Sequence, residues 1–147
     1  MYQYKLSGLD NVWLVNGYTI EQTPYGEAVH IDHANELDTV IALELVKQQD
    51  ALTAAEFRFI RQQLGMSQSD VGAFMGVDNQ TVARWEKKET LLPPYADRLM
   101  RVLFTGHQVK DTSIYSLVQT FNAIDKAKNS RIVLTKSETW QGELQPC

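Results

Sequence analysis

Met66-Ser-Gln-Ser-Asp-Val-Gly-Ala-Phe-Met-Gly-Val-Asp-Asn-Gln-Thr-Val-Ala-Arg-Trp-Glu-Lys-Lys88 is the stretch that decides the fold. It predicts two short helices joined by a tight turn. Ser67 is a good N-cap, because its hydroxyl can accept a free N–H of the first turn. Val71, Phe74 and Met75 recur at helical spacing. Gly76 stands where that helix must stop, since glycine takes a left-handed conformation without steric cost. Asp78 caps the second helix, whose Val82 and Trp85 lie three apart on one face. Trp85 is expected in the core. Asn79, Gln80, Ala83 and Arg84 fall on the other face, with Lys87 and Lys88 near its end. Amide and guanidinium groups on an exposed helix face suit base edges and phosphates in a major groove.

Outward from this stretch, further elements are readable. Thr53-Ala-Ala-Glu56 is a capping box that starts a helix with Phe57, Ile60 and Leu64 inward. Pro93-Pro94 breaks the chain and starts another, Tyr95 to Phe104, with Leu99, Val102 and Leu103 inward and Gly106 ending it. Asp111 or Thr112 caps a further helix. Its apolar stripe (Ile114, Leu117, Val118, Phe121, Ile124) exceeds what a monomer surface needs and is expected at a dimer interface, with Arg131–Thr135 the alternative. Arg131–Thr135 reads as a short strand and Ser137 onward as a loose tail.

Upstream, Val12–Val15 is rich in strand formers. Asn16-Gly17 is a strong hairpin signal, and Tyr18–Thr23 alternates as a returning strand. Pro24-Tyr25-Gly26 reads as a second turn and Ala28–Ile31 as a third strand. Asn35 to about Gln48 is helical, with Leu37, Val40, Ile41 and Leu45 as its stripe. Trp13, Val15, Ile20, Leu37, Ile41 and Leu45 are expected to pack this segment, and Tyr18 and Tyr25 to offer aromatic contact surface. Asp50-Ala-Leu52 is a linker too short for free movement. The fold class is α+β: a small N-terminal β/α segment (1–50), an all-α five-helix bundle (53–125), then a short strand and tail (126–147).

The motif residues resemble the helix-turn-helix of the Cro/phage-repressor (XRE-type) family. The matching points are Ser67-Gln68, Gly76-Val77, Thr81-Val82 and Arg84-Trp85-Glu86, within a likeness running from about Thr53 to Phe104. The resemblance implies a DNA-binding transcription regulator, with Gln68 anchoring a phosphate and Asn79, Gln80, Ala83 and Arg84 facing bases. With Thr81, Lys87 and Lys88 these form the expected DNA-binding set. Gly72 departs from the family, which prefers alanine there. A looser resemblance, to MqsA/YgiT-type antitoxin-regulators, adds the alternative of a protein toxin bound by the N-terminal segment. Those proteins carry zinc on paired Cys-x-x-Cys motifs. This chain has one cysteine, Cys147, so no metal or other cofactor is expected.

The 147 residues have 44% hydrophobic content, enough for a core, and net charge −4. That charge is segregated. Residues 1–52 hold Lys5 and Lys47 against eight acids, a net −6; residues 53–104 and 105–147 are each +1. The DNA-facing part is thus not acidic, and phosphate contacts depend on local charge. The acidic segment points away from DNA, toward a basic partner or plain solvent. A lone cysteine and the absence of a ~18-residue apolar run or signal-peptide core predict a cytoplasmic protein without a membrane span. His30-Ile-Asp-His33 has too few ligands for a metal site. No nucleophile–base spacing or phosphate loop appears, so an enzyme is not expected. The reading is a cytoplasmic repressor that binds double-stranded DNA as a homodimer.

Overall fold

A computed structural model describes residues 1–108, 130–136 and 140–146. The element order is β1 (Tyr2–Gln3), a 3₁₀ turn (Lys5–Ser7), β2 (Trp13–Leu14), β3 (Tyr18–Thr23), β4 (Gly26–Ile31), α1 (Ala34–Lys47), α2 (Ala54–Gln63), α3 (Gln68–Met75), α4 (Asn79–Glu86), α5 (Pro94–Gln108), β5 (Ser130–Lys136) and β6 (Trp140–Pro146). The mixed α+β class expected from the sequence is what the structure shows. The expected helix over Ile114–Ile124 lies outside the described residues.

Among the described residues four helices, α2 to α5, form the bundle, and each begins or ends where local chemistry dictates. Thr53 and Ser67 head full capping boxes, closed by Glu56 and Asp70. Phe57, Ile60, Leu64, Val71, Val82, Trp85, Met100, Leu103 and Phe104 are buried together. Trp85 sits at the centre, edge-on to Phe57 (6.1 Å) and to Tyr95 (6.3 Å). Such pairs add to area burial because the ring quadrupoles favour edge-to-face contact.

α5 differs from expectation. It runs on through Gly106, which is buried inside the helix. One glycine costs a helix only about 1 kcal/mol, too little to end one held by packing. Its inward stripe is Ala96, Met100, Leu103 and Phe104, while Val102 is 52% exposed. Ala96, Met100 and Leu103 follow the i, i+4, i+7 rule, which turns position 102 away.

The N-terminal segment is arranged differently from the three-stranded reading. β2 pairs with β1 (Tyr2↔Leu14, Gln3↔Trp13), while β3, among the described residues, pairs only with β4. Asn16-Gly17 therefore joins two separate sheets rather than closing a hairpin. The hairpin turn is Pro24-Tyr25, clasped by Thr23, whose Oγ1 donates to the Gly26 carbonyl (2.6 Å) and accepts from the Tyr25 N–H (3.2 Å). The expected packing set is also corrected. Trp13, Val15, Ile20 and Val40 are exposed, and the buried residues here are Tyr4, Leu9, Leu14, Ile41, Ala42 and Leu45. Tyr4 is the pivot: its hydroxyl donates to Asp38 Oδ1 on α1 at 3.0 Å. Burial, and then the Asp38 carboxylate, push that phenol up to about 12.

α1 packs on α2 and α5, and the linker is tied down. Arg101 on α5 donates to the carbonyls of Val46, Gln48 and Asp50 and pairs with Asp97. It thereby satisfies carbonyls that the end of α1 leaves without helical partners. Asp97 also accepts the Leu52 N–H at 3.0 Å. Near the C-terminus, β5 pairs antiparallel with β6 from Ser130↔Pro146 to Lys136↔Trp140. Trp140–Pro146, read from the sequence as tail, is thus a strand.

Candidate nucleic-acid interface

The turn between α3 and α4 is built on two glycines. Gly76 adopts φ +76, and the Gly72 carbonyl accepts from both the Gly76 and the Val77 N–H groups. A Cβ on Gly72 would stand 2.6 Å from the Val77 carbonyl oxygen. The departure from alanine at this position therefore has a reason. The backbone of the turn crosses directly over the α3 surface, and only glycine leaves it room.

Asp78 starts α4. Its Oδ1 accepts the Thr81 N–H (2.8 Å) and the Thr81 hydroxyl (2.6 Å). These bonds to Thr81 hold the Asp78 carboxyl below the usual carboxylate value. Thr81, expected at the DNA, thus has its hydroxyl committed to the cap. Val82 and Trp85 anchor the helix inward. Asn79, Gln80, Arg84, Lys87 and Lys88 are exposed, and Ala83 is half-buried. Gln80, Ala83, Arg84 and Lys87 come together around one shallow depression of about 190 Å³, with Glu89 at its rim.

The end of α4 carries an unusual feature. Lys88 has φ +62, the left-handed region, and closes the helix with N–H bonds from Lys88 to Trp85 (3.3 Å) and from Glu89 to Arg84 (3.0 Å). Glycine is the residue that takes such a position freely.

Gln68 stands at the first turn of α3, but its side chain is half-buried. Its Nε2 donates to Glu86 Oε1 at 3.2 Å. Glu86 is the hub of a charged cluster. Arg61 grips it with two bonds, Nε to Oε2 at 2.6 Å and Nη2 to Oε1 at 2.9 Å, and also donates to the Met66 carbonyl at 2.9 Å. Their side chains are 11% and 4% exposed. Arg58 lies at 4.0 Å on the outside. This cluster joins α2, the α2–α3 turn, the head of α3 and the end of α4. Sequence reasoning missed it. The signal was Arg61 itself, which falls on the inner stripe defined by Phe57, Ile60 and Leu64.

His30 Nε2 is 3.5 Å from Asp32, both exposed, and His33 lies at the head of α1. Among the described residues no group of three or more His, Cys, Asp or Glu side chains is placed to hold a metal ion. Among them also, no helix is long and apolar enough to cross a membrane.

Two short capped helices around a tight glycine turn, with the second one's polar edge in solvent, define a helix-turn-helix DNA-binding module. Comparison with protein families agrees: residues 57–109 match the family model described as helix-turn-helix. The segment is of the Cro/phage-repressor type, and a DNA-binding regulator is the class it defines. Searches of curated proteins and of solved structures give no match.

Proposed function

We propose that the protein is a sequence-specific transcriptional repressor that binds a pseudo-palindromic operator as a dimer. The observation that supports this best is the edge of α4. Arg84, Gln80 and Asn79 stand in solvent while Val82 and Trp85 lock the helix to the bundle. Arg84 and Gln80 read bases, since guanidinium pairs bidentately with guanine and carboxamide with adenine. Gln68, Lys87 and Lys88 position the backbone; Asn79 and Ala83 line the groove, and Thr81 contributes through the cap. Half-sites lie about one helical turn, ~10 bp, apart or at a multiple of it. Arg84→Ala should cost about 1–3 kcal/mol on the operator and relax preference at one base position. Parent affinity in that variant, measured by fluorescence anisotropy on the mapped operator, refutes the assignment.

A second reading is favoured by the exposed acidic hairpin β3–β4. In it the N-terminal segment sequesters a basic protein toxin, and DNA binding represses the shared operon. Expression of the neighbouring gene should then arrest growth, and co-expression of this chain should relieve it. A harmless neighbour rules that reading out.

A further inference from the structure

The described residues contain three separate two-stranded sheets, β1–β2, β3–β4 and β5–β6. β3–β4 and β5–β6 are the longer pairs, with six and seven residues per strand. Neither has a third strand among the described residues, so both leave open edges of unpaired N–H and C=O groups. A two-stranded sheet is marginal alone; a third or fourth strand makes it stable.

The β3–β4 hairpin is acidic and the β5 strand is basic. From Asn16 to Val40 the chain carries Glu21, Glu27, Asp32, Glu36 and Asp38 and no lysine or arginine. β5 carries Arg131 and Lys136 and no acid, whereas its partner strand β6 carries Glu143. Like charges facing across strands are destabilising, so the acidic hairpin does not suit its own copy. An oppositely charged strand rich in β-branched residues does suit, and β5, Ser-Arg-Ile-Val-Leu-Thr-Lys, is one. The β3–β4 hairpin also has apolar surface to cover: Ile20, paired with Val29, is 45% exposed, and Tyr25 at its tip is fully exposed.

We propose that β5 of a second copy adds to an open edge of the acidic β3–β4 hairpin, merging two two-stranded sheets into one four-stranded sheet. The exchange is reciprocal, so two such sheets form about a two-fold axis, the usual closure for a homodimer. The inference rests on the dimeric reading above and gives it an interface.

Charge reversal tests it in the full-length chain. One variant carries Glu21→Lys and Glu27→Lys, one change on each strand of the hairpin; the other carries Arg131→Glu and Lys136→Glu. Analytical ultracentrifugation at low salt reads the mass of parent, each variant and their equimolar mixture. The parent should be a dimer that weakens as salt rises. Each variant alone should dissociate with a constant raised about tenfold or more. The mixture should recover the dimer, because both contacts in the mixed pair are again opposite in charge. Far-UV circular dichroism checks that each variant is folded. If a variant fails this check, concentration-dependent hydrogen-exchange protection of the parent amides at 18–31 and 130–136 decides instead, and its absence overturns the proposal. A dimeric parent whose folded variants keep its mass overturns the interface but leaves the dimer reading intact. A monomeric parent overturns both. A third variant carries all four changes in one chain; if it regains the parent mass while the mixture does not, the contact lies within a single chain and the proposal is overturned.

Discussion

Lys88→Gly should make the protein more stable and a poorer DNA binder, and the two effects are separable. Lys88 holds φ +62 at the end of α4. A left-handed conformation costs a residue with a Cβ roughly 1–2 kcal/mol. Glycine removes that strain but gives back roughly 0.5–1 kcal/mol through the larger entropy it loses on folding. The net gain is roughly 0–1.5 kcal/mol, a rise of up to a few degrees in Tm. The same change removes a cation from the end of the recognition helix. Each lost phosphate contact lowers the slope of log K against log salt by about 0.9, which near 0.15 M salt is roughly a fivefold loss per half-site. Calorimetry and anisotropy titrations from 50 to 300 mM salt read the two quantities. Lys88→Ala is the control, since alanine keeps the strain and loses the charge: it should weaken binding without the gain in Tm. A Lys88→Gly protein with parent affinity and parent salt slope refutes the link between the strained lysine and DNA. One with a lowered Tm refutes the strain.

Gly72→Ala should destabilise by roughly 1–2 kcal/mol in urea unfolding: the gain in helix propensity of about 1 kcal/mol is outweighed by forcing a methyl against the Val77 carbonyl 2.6 Å away. A neutral or stabilised variant would show that the turn gives way freely. Glu86→Ala should cost about 3–5 kcal/mol, because it strands the nearly buried Arg61; an unfolding midpoint within error of the parent's contradicts the cluster. Tyr4 titrates at about 12 instead of its ordinary 10.0, so its contribution is complete below pH 10 and is lost as pH rises through 12. Tyr4→Phe should flatten that alkaline loss in the Tm profile, and an equally steep profile in the variant places the titrating group elsewhere.

The parts of the fold that the sequence disclosed are those held by bonds between near neighbours. Thr53 with Glu56, Ser67 with Asp70 and Asp78 with Thr81 are each three residues apart, and all three caps form. The N-terminal segment was misread where a local signal competed with distant pairing. Asn16-Gly17 has the composition of a hairpin turn, but β2 is claimed by β1 across the Tyr4 N–H to Val12 carbonyl bond. With β2 gone, β3 takes β4 across Pro24-Tyr25, which carried a weaker signal. Burial followed: Leu14 turned inward, and Trp13 and Val15 were left outside. Periodicity names a face; it does not say which sheet the face will meet.

The exposed polar edge of α4 was legible for a related reason. A residue that reads bases must be polar, exposed and on the face opposite the anchors, and all three conditions can be counted along one helix. What positions that edge was not legible, because Arg61 and Glu86 are 25 residues apart. Their pair has a consequence for function. Gln68, the expected phosphate anchor, and α4, which carries Arg84, share one carboxylate. A shift of either element must move the Glu86 oxygens, and Arg61 holds both of them. The head of α3 and the end of α4 are therefore held in one relative position. Preorganisation of this kind lowers the ordering cost of binding rather than adding a contact. Under the proposed function, the Arg61–Glu86 pair thus supports affinity alongside Arg84 by holding the two helices in place.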